Sequence, residues 1–167
     1  MSSDCALIAS PVHVRIAAAN ETRTETHRRM ALAFVITLER ELPEDSAAYA
    51  KAKTGKAIAR ELDKLNSVAR RKNVETISAM LSENPATLIA QMRADGFDSS
   101  KMRVPPERWY APADGLKTVR ALAEYVTENL NDFKQPNPIL RDLKGAEALL
   151  IAAESAGVQF HFTSTAL

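Results

Sequence analysis

With 167 residues, 46% of them hydrophobic and 26% charged, the chain has material for one globular core and too little for two large ones. Its 22 Lys and Arg nearly balance 21 Asp and Glu, which excludes the global basic field of a dedicated nucleic-acid binder and the acidic excess of a disordered chain. The single Cys5 excludes an internal disulfide framework and a cysteine-based zinc site, and no stretch approaches the ~18 uninterrupted apolar residues of a membrane span. A cytoplasmic protein of a reducing compartment, with no membrane association, is the expectation.

Residues 1–29 differ from the rest. Cys5–Ala19 is a small-residue apolar run broken by Pro11, His13 and Arg15, and it lacks the cationic start and unbroken middle of a secretory signal. Asn20–Arg29 has no period that could bury a face. We therefore expect a flexible arm or extension over 1–29 and one domain over 30–167, since terminal segments with few buried contacts are the usual site of disorder. A short strand at Val12–Ile16 joining a sheet edge is the alternative.

Ala31–Glu39 alternates, with Leu32, Phe34, Ile36 and Leu38 on one face, and predicts a strand covered mainly on that side. A short helix at 45–53 ends at Thr54-Gly55. From Lys56 to Arg71 the residues Ile58, Leu62, Leu65 and Ala69 form one apolar stripe of a helix, which Val74–Leu81 continues. Asn84-Pro85 is a helix start, Asn as cap and Pro at the first position, and Gly96 is its stop. Phe97–Ala111 reads as an ordered crossing loop pinned by Trp109, taken as a core plug.

A regular helix follows, with Asp114 as its expected cap and Leu116, Val119, Ala123, Val126 and Leu130 as its stripe. Gln135–Pro138 restarts a helix with Asn137 as cap, and Ile139, Leu143, Ala146, Leu150 and Ala153 form the buried side up to Gly157. The chain closes on a strand, with Val158, Phe160 and Phe162 facing in and Gln159, His161 and Thr163 facing out. The expected fold is α+β, a helix-dominated single domain with a small sheet that includes strands near 31–39 and 158–163.

The chemistry-bearing motifs are sparse. His13, His27 and His161 lack metal-ligand spacing, so no metal or other cofactor is expected. Thr54-Gly55-Lys56 lacks the upstream glycine of a phosphate loop, and no dinucleotide fingerprint or nucleophile elbow occurs. The carboxylates Glu39, Glu41, Glu44 and Asp45 read as a solvated turn. His161 reads as a half-exposed strand histidine, near Glu39 if the two strands pair, with a ligand or acid–base role as the alternative.

One charged feature stands above background. Between Lys51 and Lys72, eight Lys and Arg face only Glu61 and Asp63. At about 100° per residue, Lys56, Arg60, Lys64 and Arg71 share one quadrant opposite the apolar stripe. An ordinary solvated helix face would carry the same residues. The functional reading is a ridge for an acidic protein partner. The absence of aromatic residues from 51–72 weighs against a nucleic acid, because single-strand binders interleave bases with exposed rings.

Gly55-Lys56-Ala57, Leu62-Asp63-Lys64-Leu65, Ala69-Arg70-Arg71, the run Trp109–Leu116 and the run Ala156–Phe162 together resemble a bacterial group of small proteins for which no reaction is established. The resemblance spans about residues 33–163. It implies a bacterial cytoplasmic protein and transfers no catalytic residue. Two functional expectations therefore stand. The first is a non-enzymatic protein-interaction domain, adaptor or immunity-like, using the ridge of Lys56, Arg60, Lys64 and Arg71 or the open face of the sheet. The alternative is a small-molecule-binding protein or enzyme, with Glu107, Trp109, Tyr110 and His161 lining a pocket near the Trp109 loop.

Overall fold

The computed structural model describes residues 32–42, 55–98 and 103–166. The expectations for the arm 1–29 and for a helix at 45–53 lie outside those residues. The protein is a helix-dominated α+β fold with a small antiparallel sheet, as its patterning implies.

Strand β1 (Leu32–Leu38) pairs with β2 (Phe160–Ala166), from Leu32 opposite Ala166 to Leu38 opposite Phe160. Two strands alone would be marginal in water. Here β2 is flanked on its other edge by single bridges, Leu81 to Phe162 and Tyr110 to Phe160. Tyr110 and Phe160 exchange both backbone bonds, at 2.8 and 3.0 Å, and Ser82 N donates to Phe162 O at 2.9 Å. Phe160 and Phe162 are fully buried, with their rings edge to face at 5.5 Å.

The out-facing side of β2 departs from expectation, because His161 is only 1% exposed. The loop carrying Trp109 closes over that side, which alternation within one strand cannot reveal.

The expected helix over Lys56–Arg71 is two helices, α1 (Lys56–Arg60) and α2 (Leu62–Arg71), parted at Glu61. The break lets the two halves meet different neighbours: α1 packs on β1 and on the last helix, α2 on the helix before it. The start of α1 is held by Asp142, whose carboxylate accepts from Ala57 N at 3.0 Å. The apolar stripe survives the break. Ile58, Leu65 and Ala69 are buried, and Leu62 is half-buried.

Val74–Leu81 does not continue the helix. Asn73 turns left-handed at φ 56°, and only a 3-10 turn forms at Ile77–Met80, capped by Thr76 Oγ1 accepting from Ala79 N. Ile77 and Met80 are still fully buried, and Leu81 leaves the turn to reach β2.

Helix α3 (Pro85–Ala94) starts on Asn84, whose Oδ1 accepts from Ala86 N and Thr87 N, and Gly96 follows it at φ 83°. Helix α4 (Pro112–Glu128) begins on Ala111 rather than Asp114, which sits in its first turn. Leu116, Val119, Leu122 and Val126 form its buried side. Ala123 is half-buried, and Leu130 is 45% exposed because the helix has already ended at Glu128.

Helix α5 (Pro136–Ala156) has its cap at Gln135, two residues before the expected Asn137. Pro136 and Pro138 both fall in the first turn, where no intrahelical acceptor awaits their missing N–H. Its predicted stripe is buried throughout, and Gly157 at φ 62° ends it. Each large aliphatic side chain so buried contributes about 1.5–3 kcal/mol.

Gly115 has a packing reason. A Cβ there would lie 2.4 Å from Cζ of Phe160, so α4 approaches the sheet as closely as it does only without a side chain at that position.

Candidate functional site

The expected pocket residues partly converge. The register of the sheet puts Thr37, not Glu39, opposite His161, and Glu39 lies beyond the ladder with its backbone N–H on Gln159 O. The carboxylate that reaches the imidazole is that of Glu107. His161 Nε2 is 3.2 Å from Glu107 Oε1, and the side chains are 1% and 22% exposed. Because a carboxylate only accepts, Nε2 carries the proton of that bond.

On the other side of the ring, Nδ1 is 3.2 Å from Thr163 Oγ1 and 3.2 Å from Phe162 O, and Thr163 Oγ1 is 2.7 Å from Thr37 Oγ1. The second oxygen of Glu107 accepts from Asn84 Nδ2 at 3.3 Å, so the residue that caps α3 also holds this carboxylate. Trp109 covers the cluster, its ring 4.6 Å from that of His161 and tilted by 55°. It is half-buried, a cover over His161 rather than the core plug expected of it.

Tyr110 does not join the cluster. Its backbone pairs with Phe160 and its hydroxyl donates to Ala79 O at 2.7 Å. Arg108 N donates to Ser82 Oγ at 2.8 Å, a further staple of the loop to residues 79–84. Glu107, Trp109 and His161 thus form a closed latch. A carboxylate, imidazole and hydroxyl in a chain are chemically able to move a proton, but this imidazole is sealed from solvent. A cleft of about 390 Å3 opens elsewhere, among Arg70, Asn73, Thr76, Asp114 and Lys117, and none of the pocket candidates lines it.

The cationic residues present the opposite picture. Lys56, Arg60, Lys64 and Arg71 are all exposed, with the apolar stripe inward. Three of them are anchored on the corner between α4 and α5. Arg60 Nη1 donates to Gln135 Oε1 at 3.3 Å, Lys64 Nζ donates to the carbonyl of Asp132, and Arg71 Nη2 donates to the Tyr125 hydroxyl at 3.1 Å. Lys64 also lies over the Phe133 ring at 4.9 Å and Arg71 over the Tyr125 ring at 5.1 Å. Tyr125 in turn donates to Asp132 Oδ2 at 2.9 Å and meets Phe133 edge-on at 6.3 Å.

Among the described residues, none of the four cations is in an ion pair; their neighbour Lys72 is, with Glu124 at 3.8 Å. The anchors Tyr125, Asp132, Phe133 and Gln135 escape a reading of the sequence. The available signal is slight: Phe133 is the sole aromatic residue in the polar connector 129–138. Among the described residues, no group of His, Cys, Asp and Glu is arranged to hold a metal ion, and no helix is long and apolar enough to cross a membrane.

Comparison with protein-family models, curated proteins and solved structures gave no match.

Proposed function

We propose that the domain is a non-enzymatic interaction module that binds an acidic protein partner through Arg60, Lys64 and Arg71, with Lys56 extending the row. One observation carries this reading: the three cations are tethered by neutral acceptors and none by a direct ion pair. Neutral tethers fix a long side chain without cancelling its charge, so part of the ordering cost of binding is already met. Complementary charge then guides encounter and register. A bacterial, cytoplasmic setting belongs to the same proposal and rests on the sequence resemblance and the single cysteine.

The alternative, a pocket by the Trp109 loop, is favoured by the convergence of Glu107, Trp109 and His161. The burial of His161 weighs against it, because a ligand would first have to displace Trp109.

Fluorescence anisotropy with a labelled polyglutamate peptide tests the proposal. The wild type should bind at low salt and weaken as salt screens the contact. Arg60→Gln/Lys64→Gln/Arg71→Gln should lose on the order of a hundredfold, at up to about 1 kcal/mol for each exposed contact. Equal binding by the two proteins, or none by the wild type, would remove the row from the function.

A further inference from the structure

We infer that the α4–α5 corner is the second half of the interface, with the Tyr125 hydroxyl positioning Arg71 for a carboxylate-bearing peptide rather than a nucleic-acid strand. This rests on the interaction reading above. Tyr125 spans two charges. Its hydroxyl accepts from Arg71 Nη2 at 3.1 Å and donates to Asp132 Oδ2 at 2.9 Å, so the proton has one consistent direction. Asp132 uses its carboxylate on Tyr125 and its carbonyl on Lys64, so one residue registers two cations of α2. Those cations are seven residues apart, or about 10 Å along the helix.

The choice of partner chemistry follows from what is left over. Arg71 spends one nitrogen on its tether, and a guanidinium has five N–H donors in a planar fork that suits a carboxylate. Phosphate would suit the fork as well, but a single nucleic-acid strand is also held by open aromatic faces on which its bases stack. The rings at this surface are taken: Phe133 is buried beneath Lys64, and Arg71 lies over Tyr125. An acidic peptide asks for nothing that the corner lacks.

Tyr125→Phe keeps the ring, its contact with Phe133 and the seat for Arg71, and removes only the hydroxyl. Polyglutamate affinity should fall by about three- to tenfold, the cost of ordering one long side chain at the moment of binding. In an Arg71→Gln background the same change should have no effect on affinity, a coupling that general loosening of the corner would not produce. Wild-type binding with unchanged affinity in Tyr125→Phe would overturn the positioning role and leave the interaction reading intact, as would an equal loss in the Arg71→Gln background. Failure of the wild type to bind polyglutamate would end both. Tighter binding of single-stranded DNA than of polyglutamate by the wild type would overturn the assignment of the partner.

Discussion

Gly55→Ala is expected to lower the melting temperature by about 6–12 °C, corresponding to roughly 3 kcal/mol of overpacking. A Cβ at this position would lie 1.8 Å from the Phe34 carbonyl oxygen and 2.9 Å from Phe34 N. Both obstacles are backbone, so no rotamer change relieves them. Gly55 has φ −13°, which shows that the constraint is space and not a left-handed conformation. The same approach brings Gly55 O to Phe34 N at 3.2 Å, a bond on the outer edge of β1 that would be lost with the displacement. Thermal denaturation followed by circular dichroism measures the effect. A melting temperature within a degree or two of wild type would mean that residue 55 does not abut β1 as described.

The latch gives the second large effect, and here the order of two variants matters more than either size. Glu107→Ala should cost about 2 kcal/mol, because it leaves a buried imidazole donor without its acceptor and strips the Asn84 amide as well. The partial exposure of Glu107 keeps the loss below the 3–5 kcal/mol typical of a wholly buried pair. His161→Leu should cost less, about 1 kcal/mol, since an apolar side chain of similar volume fills the site and Glu107 turns to water. The double variant should then be little worse than His161→Leu, a strongly non-additive pair. Urea denaturation read by the fluorescence of Trp109, the chain's one tryptophan, resolves these differences. A more stable Glu107→Ala than His161→Leu would refute the latch.

How far the sequence reaches depends on where the deciding contact lies. Periodicity fixes which side of an element is apolar, so the stripe of α5 from Ile139 to Ala153 and the pairing segments of both strands are legible in it. Caps are legible when one side chain decides them, as Asn84 does. They fail when several prolines compete, as at Pro136 and Pro138, or when no side chain makes the cap, as at Ala111. The break at Glu61 is invisible because the stripe runs through it; the two halves diverge only to meet different neighbours.

The same rule governs the sites. The exposure of Lys56, Arg60, Lys64 and Arg71 follows from the helical wheel. Their tethers on Tyr125, Asp132 and Gln135 lie 54 to 75 residues away in sequence and depend on tertiary packing. The neighbours of His161 escape the sequence for a related reason. Glu39 lies one residue past the paired strand, yet Glu107, 54 residues upstream of the histidine, is the residue that reaches it.

The most direct test of the interaction reading is amide chemical-shift mapping by NMR as a polyglutamate peptide is titrated into the protein. Perturbations should cluster on α2 from Lys64 to Arg71 and on the corner from Tyr125 to Gln135. Shifts gathered instead at Glu107, Trp109 and His161, with the corner unmoved, would contradict it.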